Sequence, residues 1–544
     1  MAFKQSGSGI FKGMNSRVTI WATGLIVSFL AVGSLFTAQL AQTLDEARGV
    51  LDPFLEWYYV FVFAFLLFYM IWLGIGRYKN VRLGRNDEQP EFTFFSWIAM
   101  LFAAGTGVGI LFWAVAQPIL QFENNPFVSD DLSPEAARVA MSLTYFHWGL
   151  NGWAIFAFVA LTLAFFAYRR SQPLTIRSGL IPLLGCRTRG WMGDAVDVLA
   201  TFATVFGIAT TLGLGVQQMN AGLSEVFGFE QTVAIQSAVA VVIMGIATVS
   251  VVSGLQRGVR ALSRLNFWLS IAIALAVLFF GPTQYLFAIT LESTGHYVQN
   301  LLQLTLYTHA SYDSDWQSEW TVFFWGWWLA WSPFVGMFIA RISRGRTFRE
   351  FVMGVLLVPT AITIVWIGLF GGTALYQELF GNGGIIAAVN ADEARALFVT
   401  MKTLAPDPVG LVISAALIVL IATYLITSAN AGTLVINTIL SGGYDDPPTL
   451  HRILWGIILT LMTVVLLMAG GLEALQSAVI MAALPFSVII LAMAVGLTRA
   501  LRNENYAARQ GDRAEPPREP WPEVDDAGSR GTEVTEDQKH KEKA

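Results

Sequence analysis

Charge is scarce in this chain. Asp, Glu, Lys and Arg make up 13% of its 544 residues, whereas hydrophobic types make up 55%. A water-soluble domain carries about 25% charged residues, so most of this length is not one. Cysteine is scarcer still: the single Cys186 excludes an internal disulfide and lies beside Arg187 in a loop expected to face a reducing compartment. The five histidines, His147, His296, His309, His451 and His540, stand at no metal-ligand spacing, and no cluster of titratable groups converges as an active site would require. An enzyme, even a membrane-embedded one, is therefore not expected, and neither is a cofactor. The net charge of −5 sums compartments of opposite balance and leaves no basic footprint for nucleic acid.

What is present is long apolar runs, about a dozen of them, each near the roughly 20 residues that a bilayer-spanning helix needs. They fall at 18–39, 54–76, 94–116, 138–168, 195–218, 232–252, 266–290, 317–341, 350–373, 408–430, 452–470 and 474–498. The first run is too long for a signal-peptide core and is read as a retained helix. Basic residues gather in alternate loops: Arg77, Lys79, Arg82 and Arg85, then Arg169, Arg170, Arg177, Arg187 and Arg189, then Arg257, Arg260 and Arg264, then Arg341, Arg344, Arg346 and Arg349. Cytoplasmic loops carry such an excess, so both termini are expected on the cytoplasmic side. The segment 499–544 mixes both charges with Pro and Gly and reads as a disordered tail.

Two spans are unusual. The third holds Gly105-Thr106-Gly107-Val108-Gly109 near its centre, and each glycine costs about 1 kcal/mol relative to alanine inside a helix. Two readings justify that cost. Gly105 and Gly109 form a small-xxx-small pair for close helix packing; alternatively the helix unwinds, presenting free amides and carbonyls that are tolerated only where they line a cavity. The eighth span holds Trp331-Ser332-Pro333-Phe334, where Pro333 cannot donate to the carbonyl of Leu329 and is expected to interrupt the helix. The same span carries Trp327, Trp328 and Trp331 near mid-membrane depth, and the fourth carries Trp148, Trp153 and Phe156. Tryptophan ordinarily anchors at the interface, so indoles this deep are either core packing or the walls of a cage for a quaternary ammonium, held by cation–π attraction.

At these residues the chain resembles the betaine/choline/carnitine transporter family. The run from Trp320 through Trp327-Trp328-Leu-Ala-Trp331-Ser-Pro-Phe334 to Arg346 closely resembles that family's signature, and the glycine motif, Phe146-His147-Trp148, Thr204-Val205-Phe206-Gly207, Thr248 to Leu255 and Thr427-Ser428-Ala429 are similar as well. The resemblance covers nearly all of the apolar part.

It implies an all-α polytopic membrane protein of about 12 transmembrane helices. Two additional helices (18–93) would precede a five-plus-five inverted repeat (94–290 and 317–498, joined by 291–316), with 1–17 and 499–544 as cytoplasmic ends. It further implies alternating access, a homotrimer, and import of a quaternary-ammonium solute such as glycine betaine across the bacterial inner membrane. By the same resemblance Trp148, Trp153, Phe156, Trp327, Trp328 and Trp331 form the substrate box, with Gly105 and Gly107 near the substrate carboxylate. Na⁺ would be the coupling ion, at Ala103, Thr106, Tyr424, Thr427 and Ser428, with Thr204 and Phe334 as remnants of a second site. The chain departs from the family pattern at Ile208, where a hydroxyl would complete that second site, at Asn430, where an acid is usual, and at Phe156, where an aromatic hydroxyl is familiar. Proton-coupled choline uptake, carnitine-type exchange and transport of ectoine or a sulfonium analogue are the alternatives; Gly109 stands where proton-coupled choline carriers hold an acid. For Thr427 and Ser428 the competing reading is routine bonding to the helix's own carbonyls.

Overall fold

The computed structural model describes residues 6, 9–105, 107–252, 256–310, 314–405, 408–444 and 447–509; the side chains of 102–105, 256–260 and 505–509 also lie outside the description. Among the described residues the regular structure is helical, apart from two isolated β-bridges. In chain order the helices are α1 (Ser16–Leu35), α2 (Thr37–Ile75), α3 (Phe94–Gly105), α4 (Val108–Glu123), α5 (Pro134–Trp148), α6 (Leu150–Ala164), the short α7 (Ile181–Leu184), α8 (Trp191–Phe227), α9 (Val233–Val252), α10 (Gln256–Phe280) and α11 (Thr283–Thr305). Then follow α12 (Phe323–Ile342), α13 (Phe348–Phe380), α14 (Ile385–Ala391), α15 (Ala396–Leu404), α16 (Val409–Leu440), α17 (Thr449–Gly470) and α18 (Leu472–Arg509).

Eleven stretches among the described residues are long and apolar enough to cross a bilayer. The chain is therefore a multi-pass membrane protein, and the expected third span is missing from the eleven because it is cut in two. Burial sorts the helices into a centre and a rim. In the stretch Pro134–Arg169, 89% of the apolar window lies inside the protein, and in Trp191–Phe227 and Gln317–Ile342 83%, against 22% for α9 and α10. At the centre α12 packs on α6, α8 and α18, α4 packs on α5 and α13, and α16 packs on α8.

Three local features differ from the sequence expectation. Pro333 does not interrupt α12, which runs unbroken from Phe323 to Ile342. The hydroxyl of Ser332 donates to the Leu329 carbonyl at 2.8 Å, supplying the bond that Pro333 cannot make. The irregularity lies earlier, in a π-helical turn over Gln317–Val322. Such bulges cluster at functional sites.

The fourth span, expected to be continuous, breaks between Trp148 and Leu150. A Cβ on Gly149 would lie 2.4 Å from the Tyr145 carbonyl oxygen and 2.8 Å from the Tyr297 hydroxyl. Only glycine fits there, and the Leu150 amide released by the break donates to the Tyr297 hydroxyl at 3.1 Å. Tyr297 belongs to α11, a helix that the sequence reading had divided between a span and a connecting segment. It is separate from α10 because Gly281-Pro282 intervenes.

The third difference is at the C-terminal end, where α18 continues to Arg509 beyond the tail boundary expected at 499. Leu501 is fully buried, and the Glu504 carboxylate meets Arg169 at 2.7 Å and Arg170 at 3.4 Å. The remainder of the expected tail, 510–544, lies outside the described residues.

The break at Trp148 depends on its cap. Tyr297→Phe removes the acceptor for the half-buried Leu150 amide and is expected to cost about 1 kcal/mol, read as a lower unfolding temperature in detergent. An unchanged temperature would show that this amide finds another partner.

Candidate functional site

The third span is cut where the glycines cluster: α3 ends at Gly105 and α4 begins at Val108. Gly107 is extended at φ −169° and ψ −176°, and a Cβ there would meet no atom within 4 Å. It borders a cavity. Gly109 faces the opposite situation, since an added Cβ would sit 2.6 Å from Trp327 Cη2 and 3.2 Å from Trp148 Cη2. Packing and unwinding thus divide between neighbours: Gly107 sits at the break, and Gly109 makes room for two indoles.

The cavity brings together residues from five helices. Trp148, Gly152, Trp153 and Phe156 come from the fourth span, Trp327, Trp328 and Trp331 from α12, Gly107, Gly109 and Ile110 from the start of α4, and Thr363 from α13. All six aromatic residues expected in the substrate box therefore line one space. Trp327 and Trp328 stack at 5.0 Å and 12°. Trp148 stands edge-on to both, at 6.0 Å and 86° from Trp327 and at 4.8 Å and 78° from Trp328. Phe156 closes the next side, 5.7 Å from Trp328 and 5.4 Å from Trp153. Among the described residues, no acidic side chain lines this space. Ring faces are its source of attraction for positive charge.

Three of the indole N–H groups are tied away from the cavity. Trp148 donates to Gln117 Oε1 at 3.1 Å, Trp328 to the His147 carbonyl at 2.9 Å, and Trp327 to Thr211 Oγ1 at 3.2 Å. Trp331 is different: its buried Nε1 has no hydrogen-bond partner among the described residues. Gly152 lets Trp328 approach, since a Cβ there would lie 3.0 Å from the indole Nε1. Gly152, Ile110, Thr363, Gln117 and Thr211 were not singled out from sequence; a glycine between two deep tryptophans was the available signal for Gly152.

The residues expected to hold an ion are placed less completely. Thr106 lies outside the described residues, as does the Ala103 side chain. Gly105 ends α3, its immediate surroundings likewise undescribed. On α16 the Thr427 hydroxyl lies 3.0 Å from both the Thr423 and Tyr424 carbonyls, the routine bonding that the sequence allowed, and it also stands 3.4 Å from Asn266 Nδ2. The Tyr424 hydroxyl is 3.1 Å from Ser270 Oγ. Ser428 is partly buried on the same helix. Thr204 donates to the Ala200 carbonyl at 2.6 Å, Phe334 packs on Trp331 at 5.4 Å, and Ile208 fills the space beside Gly432.

A second, larger hollow, open to solvent, lies one helical turn further along α4, beside the π-helical turn that precedes α12. Trp113 and Trp320 are on its wall, and Phe324 separates it from the cage, touching Trp113 at 5.8 Å and Trp148 at 5.7 Å. Six carboxylates, Asp45, Glu123, Asp315, Glu319, Glu393 and Glu473, line it against one arginine, Arg48. Burial pushes the Glu393 carboxyl above its ordinary value and the His309 imidazole below its own, so His309 adds little positive charge to this mouth.

Residues 17–506 match the profile of the betaine/carnitine/choline family transporters. The chain belongs to this family. It is a transporter, not an enzyme. It is 40% identical to the glycine betaine transporter of Acinetobacter baylyi, covering 91% of this chain and 74% of that one. It is 41% identical to glycine betaine transporter 1 of Vibrio parahaemolyticus, covering 89% and 93%. It is 42% identical to the ectoine/hydroxyectoine transporter of Virgibacillus pantothenticus, covering 91% and 98%.

For this transporter the cage geometry makes a specific demand at Gly109. Gly109→Ala is expected to push the Trp148 and Trp327 rings apart and to raise the solute dissociation constant at least tenfold, in protein that still inserts and remains monodisperse. Wild-type affinity in that variant would show that the cage is not the binding site.

Proposed function

We propose that this transporter imports glycine betaine by Na⁺ symport with alternating access. The observation that carries the reading is the cage: six aromatic rings around one cavity at membrane depth, with no carboxylate among the described residues of its lining. A trimethylammonium group cannot donate conventional hydrogen bonds, so ring faces suit it, each contributing up to about 2 kcal/mol once water is excluded. The carboxylate of betaine would meet the free Trp331 Nε1 and the amides at the start of α4, where a helix N-terminus favours an anion. Gly105 and Gly107 immediately precede that start. The acid-rich outer hollow favours cations over anions at the approach to the cage.

Na⁺ is treated as cargo. Ala103 and Thr106 at the break of the third span, with Tyr424, Thr427 and Ser428 on α16, form the proposed ion site; the supporting chemistry is a set of uncharged oxygens suited to a hard cation. Ile208 against Gly432 leaves Thr204 and Phe334 without the second hydroxyl, so one ion is proposed. The Arg-rich loops support cytoplasmic termini in a bacterial inner membrane. A homotrimer is proposed too. Phe287, Leu291, Val298 and Leu302 on α11 are all more than half exposed and form an apolar stripe suited to a neighbouring subunit or lipid.

Uptake of labelled glycine betaine into proteoliposomes, compared under an inward Na⁺ gradient, an inward proton gradient and no gradient, tests the reading. Concentrative uptake with Na⁺ alone is expected. Uptake driven by protons with choline preferred, or by Na⁺ with ectoine preferred, would replace the proposed cargo.

The cage itself is tested by Trp328→Leu. Loss of one ring face, worth about 2 kcal/mol, is expected to weaken solute binding roughly 30-fold. Unchanged binding by calorimetry would remove Trp328 from the site.

A further inference from the structure

His147 is fully buried and is not part of the cavity wall, yet two walls of the cage are fastened to it. Its carbonyl accepts the Trp328 N–H at 2.9 Å. Its ring reaches Trp148 through one intermediary, with Gln117 Nε2 lying 2.7 Å from His147 Nδ1 and Gln117 Oε1 lying 3.1 Å from Trp148 Nε1. On the far side His147 Nε2 is 3.1 Å from Thr321 Oγ1, within the π-helical turn that precedes α12. Phe324 stacks on the imidazole at 4.9 Å and 15°, which fixes its plane.

The donors and acceptors along this chain permit one arrangement. An indole nitrogen can only donate, so the atom of Gln117 facing Trp148 must be its carbonyl oxygen. The amide orientation, usually ambiguous, is thereby set. The NH₂ of Gln117 must then face His147, and because it can only donate, Nδ1 must accept. The imidazole proton is left on Nε2, which donates to Thr321. A proton on Nδ1 would oppose the Gln117 NH₂, and flipping the amide to relieve that contact would set NH₂ against the Trp148 N–H.

We infer that His147 is a positioning residue for solute recognition: as the neutral Nε2–H tautomer, it holds Gln117 so that Trp148 keeps its angle to Trp328. This rests on the reading of the aromatic cavity as the solute site. It explains why a polar chain is maintained inside an apolar core, where a half-satisfied network would cost more than none.

The test has two arms. In protein labelled with ¹⁵N-histidine, with His147→Asn used to assign the signal, the His147 resonances are expected to show an unprotonated Nδ1 and a protonated Nε2, with or without solute. Nδ1 protonation would overturn the inference whatever the solute is. In the second arm, glycine betaine binding and uptake are compared in Gln117→Met, His147→Phe and His147→Asn. Methionine removes the acceptor for Trp148, phenylalanine keeps the ring stack but removes the acceptor for Gln117, and asparagine restores an acceptor without the ring. Gln117→Met and His147→Phe are expected to raise KM and the dissociation constant at least tenfold while maximal uptake per inserted protein changes less than threefold. His147→Asn is expected to bind at least fivefold tighter than His147→Phe. Equal KM in all variants, or a fall in maximal uptake alone, would reduce His147 to a structural role. Absence of binding in the wild type would instead overturn the choice of solute, and the tautomer measurement would still decide the inference.

Discussion

Indole rings need room, and a helical bundle gives it only where a backbone comes without a side chain or turns aside. That steric constraint organises the centre of this protein. Trp327 and Trp148 meet over Gly109, Trp328 lies against Gly152, and Trp331 lies against Gly207, where an added Cβ would stand 3.0 Å from the indole. The breaks of the third and fourth spans serve the same end. One exposes the α4 amides beside the cavity, and the other sets Trp148 at a helix terminus, edge-on to Trp328. Each irregularity needs its own compensation in an apolar core, found in Tyr297 for the Leu150 amide and Ser332 for the Leu329 carbonyl.

A second constraint is the single-valued hydrogen bonding of indole. Each cage N–H must donate somewhere or remain available to a ligand. Thr211, Gln117 and the His147 carbonyl take those of Trp327, Trp148 and Trp328, whereas the buried Trp331 N–H has no partner among the described residues. Satisfied donors fix the ring planes, and the buried Trp331 N–H marks a place for an acceptor. An apolar cavity with a few converging polar groups is a common form of small-solute site.

Much of this was legible in the residues. Long apolar runs announced the membrane spans, and deep tryptophans beside a glycine cluster announced the cavity, because both patterns carry a cost that ordinary packing explains poorly. What stayed hidden was tertiary compensation. Pro333 reads as a break until Ser332 is seen to take up the Leu329 carbonyl. Gly149 reads as an ordinary small residue until Tyr297, far away in sequence, is seen capping the turn. Local periodicity likewise could not separate α10 from α11, or follow α18 past Arg499 to the ion pair of Glu504 with Arg169. The Gln117–His147–Thr321 chain joins three segments, of which only Phe146-His147-Trp148 stands out in the sequence.

The central claim is that ring faces recognise positive charge in the solute, beyond its shape. Competition between glycine betaine and 3,3-dimethylbutanoate, its uncharged-head isostere with a tert-butyl group in place of trimethylammonium, tests this most directly. The account predicts that the carbon isostere competes roughly 30-fold more weakly or worse, as the loss of about 2 kcal/mol or more of cation–π attraction requires. Equal competition by the two would contradict it, because the cavity would then be selecting an apolar shape alone.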